Sequence, residues 1–257
     1  AQLADEDAAA AAARADGAGA DAAALEAAQS SKAVSQFQQE GALEVHQCGK
    51  PPGAPFASAT TWAEMQLDAD VMRGITDIGW ESPAKIQGTS IPLILSGNNF
   101  IGQAATGKGK TGAFTVSLLQ TLRPTGGRAV NAPQAIIFCP TKIVMKSHLG
   151  VLRKLANPKG ITGRIVASDK HEGTWDLKRG ENITEDVVIA SPAKVANLIK
   201  NARFRGRACI QLHNLKLLIV DEADEMIKKV KGQSRSFGDE LQKIRDLVLA
   251  DCAKRKR

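Results

Sequence analysis

Residues 104–111 have the sequence Ala104-Ala105-Thr106-Gly107-Lys108-Gly109-Lys110-Thr111. They follow a short apolar run at 99–103 and precede residues 112–119, which read as a helix. A strand, a glycine-rich turn and a helix form the setting of a phosphate-binding loop, where backbone N–H groups and the helix dipole face phosphate oxygens. There we expect Lys110 to reach the β- and γ-phosphates and the Thr111 hydroxyl to ligate Mg²⁺. The alternative is a glycine-rich turn that contains a lysine by chance.

An acidic cluster, Asp221-Glu222-Ala223-Asp224, follows a second apolar run at 215–220. Such a run is typical of a buried parallel strand, and open α/β sheets bind ligands at the carboxyl ends of their strands. Asp221 suits Mg²⁺ ligation, and Glu222 suits orienting or deprotonating a water that attacks the γ-phosphate. Alone, the cluster would more often begin a solvated helix. Together with the loop at Lys110, it predicts the second half of a nucleotide site.

Both segments resemble those of the DEAD-box ATP-dependent RNA helicases. The loop matches the family form A-x-S/T-G-x-G-K-T from Ala104, and residues 221–224 match the family's tetrapeptide. The resemblance implies an α/β fold, a RecA-like P-loop NTPase lobe whose parallel sheet has helices on both faces. It implies that residues 104–111 bind ATP, that Thr111 and Asp221 hold Mg²⁺, and that Asp224 couples the lobe to a second one. It implies catalytic roles for Glu222, Lys110 and Asp221.

The segment from Gly79 to Gln87 resembles the family's Q motif, and Trp62 stands seventeen residues before Gly79, where the family has an isolated aromatic residue. A flat ring can stack on adenine, and the Gln87 carboxamide can pair with the adenine N6/N7 edge, which favours ATP over GTP. The alternative is that Trp62 and Trp80 are core aromatics, and for Trp80 we prefer it. Ala84 departs from the family, which usually has a hydroxyl residue there.

Two other predicted strand ends resemble the RNA-contacting segments P-T-R-E-L-A and T-P-G-R of the family. The residues that the resemblance assigns to RNA are Pro140, Thr141, Lys142, Ser191, Pro192 and Lys194. The lysines keep a positive charge but lack the planar fork of arginine. A Gly-Gly pair expected near residue 168 is replaced by Ser168 and Asp169, and Asp169 would repel phosphate. We therefore expect weak, mainly electrostatic RNA binding.

The chain of 257 residues divides into two predicted parts. Residues 1–60 read as an Ala-rich acidic arm and a Pro/Gly linker, largely disordered or partly helical, and residues 61–257 as the RecA-like lobe. The first thirty residues carry a net charge of −5 against +7 for the whole chain, so the remainder carries +12, which suits RNA. No apolar run approaches the ~18 residues of a membrane span. The scattered cysteines fit a reducing compartment, so we expect a nuclear or cytoplasmic protein that is not secreted.

We expect this chain to be the ATP-binding lobe of an RNA helicase that couples ATP binding and hydrolysis to RNA binding or remodelling. Within the family it resembles the mRNA-export helicases of the nuclear pore. The family's strand ending in S-A-T and its second RecA-like lobe do not occur in these 257 residues. We therefore expect a second lobe and helicase-regulating proteins as partners. The competing interpretation is a stand-alone, degenerate nucleotide-binding scaffold without unwinding activity; a P-loop ATPase acting on DNA is disfavoured by the Q motif.

Overall fold

A computed structural model of the chain describes residues 58–105, 107–167, 181–200, 203–204, 207–227 and 237–255. Its helices are α1 (Ala69–Asp77), α2 (Lys85–Leu95), α3 (Lys110–Thr121), α4 (Lys142–Ala156), α5 (Pro192–Lys200), α6 (Ala223–Ile227) and α7 (Phe237–Arg255). Its strands are β1 (Ala135–Phe138), β2 (Gly163–Val166), β3 (Val187–Ala190), β4 (Arg203–Phe204), β5 (Arg207–Ala208) and β6 (Leu217–Val220). Two 3₁₀ turns, Ala63–Met65 and Asn157–Lys159, complete the described elements.

Several sequence-based expectations concern residues that the structure does not describe. The acidic arm and nearly all of the linker, up to residue 57, are among them. So are Thr106 of the loop and the pair Ser168 and Asp169. These expectations therefore stay predictions, as does the division of the chain at residue 60.

The central sheet contains four parallel strands in the order β2-β3-β1-β6. The inner strands β1 and β3 consist of the fully buried sequences AIIF and VVIA, as expected for strands covered on both faces. The register pairs Phe138 of β1 with Ala190 on one side and with Val220 on the other. The segments that follow β1, β3 and β6 therefore leave the sheet side by side, at the carboxyl end of the strands.

Alternate side chains of the sheet pack against helices on opposite faces. On one face, Ile137 and Ile189 belong to a core that includes residues of α1, α3 and α4. On the other, Phe138 and Val188 pack in a core with residues of α5, α6 and α7. This period of two is what a strand geometry dictates for a sheet between two helical layers. The predicted α/β fold with a parallel sheet and helices on both faces is confirmed.

The strand predicted at residues 99–103 is wrong. Residues 98–105 have no regular secondary structure, and the side chain of Ile101 is 99% exposed. A strand needs a neighbour to receive its backbone hydrogen bonds. Within the described residues, β6 pairs only with β1, and no strand lies between β6 and this segment. An apolar run at this position was therefore not sufficient for a strand, because no described strand pairs with it.

Two buried polar clusters tie the loops to the sheet. The carboxylate of Asp186, only 1% exposed, accepts hydrogen bonds from the N–H and hydroxyl groups of Thr125 and Thr162 and from Gln134. Elsewhere, the buried Lys159 ammonium donates to Asp68 at 3.0 Å, which joins the 3₁₀ turn after α4 to the residue that precedes α1. Among the described helices, none is long and apolar enough to cross a lipid bilayer.

Candidate nucleotide site

The glycine-rich loop makes a tight turn directly before α3. Gly107 and Gly109 have φ values of 81° and 90°, in the left-handed region that glycine enters without steric cost. Because α3 begins at Lys110, its N-terminus adjoins the loop. The Lys110 ammonium donates to the carbonyl of Ala105 at 3.1 Å and to that of Ala104. The lysine side chain therefore folds back over the loop that the sequence predicts to hold phosphate.

Asp221 stands at the end of β6, where its N–H donates to the Phe138 carbonyl at 3.1 Å. Burial opposes its ionisation. However, the hydrogen bond and the electrostatic interaction with His148, the backbone N–H of Glu222 and the charge of Lys110 together lower the pKa of Asp221 below its ordinary value. The Asp221 carboxylate is therefore ionised near neutral pH.

The next two acidic positions differ from Asp221 in exposure. Glu222 is exposed and has a φ of 52°, a left-handed conformation that is uncommon for a residue with a side chain. Its carbonyl accepts the N–H of Met226 and so starts the short helix α6. Asp224 is also exposed, in the first turn of that helix. The turn thus presents Glu222 and Asp224 to solvent while Asp221 is held inside.

A cavity of about 420 Å³ lies between β6 and the irregular segment at residues 98–102. Lys110 and Asp221 both line it, beside Phe100 and Phe114. The charge of Lys110 also contributes to lowering the pKa of Asp221, as expected for opposite charges at one cavity. The structure therefore brings together the loop lysine and the strand-end carboxylate that the sequence paired.

The donor set fits Mg²⁺ shared with a phosphate ligand. Among the described residues, no group of three or more His, Cys, Asp or Glu side chains could hold a metal ion by itself. Proteins commonly bind Mg²⁺ through one or two side-chain oxygens together with phosphate oxygens and water. The carboxylate of Asp221 and the hydroxyl of the half-buried Thr111, in the first turn of α3, are donors of that kind.

Gln87 lies against the loop, but both ends of its carboxamide are engaged. Its oxygen accepts the N–H of Ala84 at 2.8 Å, which caps α2, and its amide donates to the Gly109 carbonyl at 3.2 Å. Trp62 is only 5% exposed and stacks on Trp80, with ring centroids 6.2 Å apart and an interplanar angle of 12°. The Trp62 N–H also donates to the Trp80 carbonyl. The structure thus places Gln87 at the loop and Trp62 within the core.

Gly112 also contributes to the site, although the sequence analysis did not identify it. A Cβ atom on Gly112 would lie 2.3 Å from the Gln87 amide nitrogen and 2.6 Å from the nearest Trp80 ring atom. Real Cβ contacts are essentially never this short, so only glycine lets α3 approach these two side chains. The signal available in the sequence was a glycine inside a predicted helix, directly after Thr111.

His148 is the second residue that sequence reasoning missed. It lies on α4, is 4% exposed, and its Nε2 atom is 2.7 Å from Oδ2 of Asp221. Its ring also meets Phe114 of α3 edge to face, with centroids 5.2 Å apart. The available signal was its spacing from Met145 and Leu152, which places a histidine on the apolar stripe of a helix.

The residues assigned to RNA by resemblance are grouped at the same edge of the sheet. Thr141 caps α4, and its hydroxyl accepts the Val144 N–H at 3.3 Å. Lys142 is exposed in the first turn of that helix. Pro192 is the buried first residue of α5, and Lys194 is partly exposed one turn into it. Pro140 and Ser191, both partly exposed, stand between their strands and these helices.

Comparisons with known proteins agree with this arrangement. Residues 84–256 match the family model described as DEAD/DEAH box helicase. The chain is 32% identical over 179 residues to the ATP-dependent RNA helicase ddx19 of Dictyostelium discoideum, covering 69% of this chain and 35% of that protein. The chain thus spans about a third of the length of the curated relatives that it matches.

Two solved structures show the same fold. One is S. cerevisiae Dbp5 bound to RNA and ADP BeF3, and the other is a variant of that protein bound to a Gle1 variant and IP6. In each case the TM-score is 0.60 and the identity 26%, over 74% of this chain and 44% of the other.

Proposed function

Because the chain belongs to the DEAD/DEAH box helicase family, we propose that its RecA-like fold is the ATP-binding lobe of an ATP-dependent RNA helicase. The observation that carries this proposal is that one cavity is lined both by Lys110, the residue directly after the glycine-rich loop, and by Asp221. An ammonium group and an ionised carboxylate at one cavity are groups that ATP with Mg²⁺ requires.

The chain's own residues take distinct roles at this site. Lys110 exchanges the loop carbonyls for the β- and γ-phosphate oxygens of ATP, while Ala104, Ala105, Thr106, Gly107, Lys108 and Gly109 form the loop around them. Asp221 and Thr111 hold Mg²⁺ from the protein side. When bound, Mg²⁺ supplies positive charge that stabilises the phosphate oxygens during transfer. Glu222, exposed beside Asp221, orients a water towards the γ-phosphate.

Adenine selectivity is part of the proposal and rests on Gln87 and Trp62. Gln87 is already at the loop, where its amide bonds the Gly109 carbonyl. Pairing with the adenine N6/N7 edge requires the carboxamide to exchange its present partners for the base. Stacking on Trp62 likewise requires the base to reach a ring that Trp80 now covers.

The partners proposed for the intact protein are RNA, a second RecA-like lobe and regulatory proteins. RNA is supported by the row of strand ends that places Thr141, Lys142 and Lys194 at one edge of the sheet. The distribution of positive charge at the candidate phosphate site supports a second lobe as partner. Within the described residues, the cation placed against the candidate phosphate site is Lys110, whereas phosphoryl transfer develops negative charge on several sides. We propose a nuclear or cytoplasmic location.

The decisive experiment is nucleotide binding by the purified chain. Fluorescent mant-ATP and mant-GTP would be titrated with Mg²⁺ against the unaltered chain and variants. Lys110→Ala should abolish most ATP binding, whereas Lys154→Ala, which removes an exposed lysine of α4, should not change it. Gln87→Ala should weaken ATP more than GTP. Equal affinity of the unaltered chain for the two nucleotides would refute the adenine assignment, and absent binding would refute the proposed function.

Residual ATP hydrolysis distinguishes a helicase lobe from a nucleotide-binding scaffold. Glu222→Gln should leave ATP affinity almost unchanged and remove any residual hydrolysis. The unaltered chain should hydrolyse ATP very slowly, with little stimulation by single-stranded RNA, because its cations lie on one side of the nucleotide. Robust RNA-stimulated turnover would show that this reasoning about charge is wrong.

The second candidate function is a stand-alone nucleotide-binding scaffold. It is favoured by the lysines at 142 and 194, where the resemblance leads us to expect arginine. Under this alternative, RNA affinity would be negligible even at low salt. The leading proposal expects weak RNA binding that falls steeply between low and physiological salt, because it depends on phosphate contacts.

A further inference from the structure

The contact between His148 and Asp221 joins two elements that are far apart in sequence. His148 lies in the middle of α4, and Asp221 follows β6. The 2.7 Å separation between Nε2 and Oδ2 is that of a short, charge-assisted hydrogen bond. Both side chains are largely removed from solvent, at 4% and 15% exposure. Water therefore competes little with this contact.

The geometry determines which ring nitrogen of His148 donates. Nδ1 is buried and has no hydrogen-bond partner within the described part of the chain. A proton on Nδ1 would be an unsatisfied buried donor, and it would leave the lone pair of a neutral ring at Nε2 facing a carboxylate oxygen. A proton on Nε2 avoids both costs. His148 therefore donates its Nε2–H to Asp221.

The ring itself has little freedom to turn. Phe114 packs its ring edge to face against His148 from α3, the helix that begins with Lys110 and Thr111. His148 also lies on the buried face of α4 with Met145 and Leu152. A 2.7 Å hydrogen bond tolerates little rotation of either partner. Because the His148 ring is fixed on two sides, its hydrogen bond also holds the Asp221 carboxylate.

We propose that His148 is a positioning residue that fixes the Asp221 carboxylate in the orientation that ligates Mg²⁺ beside the ATP phosphates. This inference rests on the proposed function, because Asp221 has a ligand to hold only if the lobe binds ATP with Mg²⁺. Side chains that orient a metal ligand typically change metal affinity by about 10–100-fold when they are removed. His148 should therefore set how much Mg²⁺ the lobe needs, while contributing nothing to nucleotide binding without the metal.

The test is the Mg²⁺ concentration at half-maximal binding of mant-ATP, measured on the full chain with and without EDTA. Two substitutions separate the hydrogen bond from packing. His148→Phe keeps a ring against Phe114 but has no donor, and His148→Gln keeps an N–H at about the reach of Nε2 but has no ring. Ser147→Ala, an exposed neighbour on α4, is the matched control. Thermal unfolding of each variant reports its stability separately.

We expect His148→Phe to raise the Mg²⁺ requirement about tenfold or more. His148→Gln should stay within about threefold of the unaltered chain, on the physical ground that it keeps the N–H donor. Ser147→Ala should change nothing, and affinity in EDTA should be the same for all variants. If His148→Phe fails to fold, His148→Asn replaces it, because its amide ends short of Asp221 and should show the same shift.

Two results would overturn the inference alone: an unchanged Mg²⁺ requirement in His148→Phe, or a shift in His148→Gln as large as that in His148→Phe. The second result would mean that the ring, rather than the donor, matters. An unaltered chain that binds ATP equally well with and without Mg²⁺ would overturn it together with the assignment of Mg²⁺ to Asp221 and Thr111. A chain that binds no ATP at any Mg²⁺ concentration would refute the proposed function, and this inference with it.

Discussion

Replacing Gly112 by alanine should destabilise the lobe although alanine is the better helix former. Gly112 is the third residue of α3, where glycine costs about 1 kcal/mol relative to alanine. Opposing that gain, the new Cβ would lie 2.3 Å from the Gln87 amide nitrogen and 2.6 Å and 2.8 Å from two atoms of the Trp80 ring. Those groups would have to retreat by roughly 1 Å to reach ordinary non-bonded spacing.

Neither group retreats easily. Trp80 stacks on the buried Trp62, and Gln87 joins the start of α2 to the Gly109 carbonyl. Overpacking of this kind costs about 1–3 kcal/mol, and the lost Gln87 hydrogen bond costs about 1 kcal/mol more. After the helix-propensity gain, we expect Gly112→Ala to lower the free energy of unfolding by about 1–3 kcal/mol.

The chain contains a matched control for this substitution. Gly150 is exposed within α4, and a Cβ there would meet no heavy atom within 4 Å. Gly150→Ala should therefore raise the free energy of unfolding by up to about 1 kcal/mol. Both variants would be measured by urea unfolding, followed by circular dichroism so that tryptophan substitutions do not affect the signal.

A double-mutant cycle with Trp80→Phe tests the cause. The two clashing ring atoms belong to the outer part of the indole, which phenylalanine lacks. Gly112→Ala should therefore cost less in the Trp80→Phe background, with a coupling of about 1 kcal/mol. Additive effects, or a Gly112→Ala variant as stable as Gly150→Ala, would refute the steric explanation.

Three further outcomes follow from buried polar and thiol groups. The hydrogen bond from Lys159, together with Gln120 and nearby positive charge, lowers the pKa of Asp68 despite an opposing effect of burial. The stabilisation from the ionised Asp68 carboxylate is therefore present above its ordinary pKa of 3.8 and is lost as pH falls through its lower pKa in the folded chain. In urea unfolding, the difference in free energy of unfolding between the unaltered chain and Asp68→Asn should therefore shrink below pH 3.8. Burial, with the negative charges of Asp221 and Glu222, raises the pKa of Cys139 to about 12, so iodoacetamide at pH 8 should label it only in urea, as judged by peptide mass mapping; labelling of the native chain would contradict this. Asp186→Ala should lower the free energy of unfolding by about 3 kcal/mol or more, because several donors lose their acceptor, and a loss below about 1 kcal/mol in urea unfolding would contradict that role.

The parts of the fold that could be predicted from sequence are those set by local pattern. The apolar runs at 135–139 and 187–190 match β1 and β3, because a strand buried on both faces is apolar at every position. The run at 215–220 contains β6, but the expected burial is wrong for this strand, since Leu218 and Val220 are 39% and 36% exposed. The helix predicted at residues 112–119 is present and extends from Lys110 to Thr121. The run at 99–103 has the same local pattern but is not a strand. Whether an apolar segment joins a sheet depends on a neighbouring strand, which local sequence does not contain.

The nucleotide site divides in the same way. Lys110 and Asp221 were identifiable because Lys110 begins α3 directly after the glycine-rich loop and Asp221 directly follows β6, and the structure places both at one cavity. The sequence assigned the Gln87 carboxamide to the adenine edge, whereas its partners in the structure are backbone groups of Ala84 and Gly109. A side chain with a donor and an acceptor satisfies both wherever partners are nearest, and motif spacing does not specify those partners.

His148 shows why the remainder of the site needed the three-dimensional structure. Its position on the apolar stripe of α4 indicates burial, and a buried histidine is most often satisfied by some nearby group. Nothing in that stripe indicates that the group is Asp221, because the pairing depends on how α4 crosses the end of β6. The contact places a donor against one oxygen of Asp221 and, among the described residues, leaves Nδ1 of His148 without a hydrogen-bond partner. A buried nitrogen without a partner lowers stability. Under our proposal, His148 has this cost because its other ring nitrogen holds the Asp221 carboxylate in place.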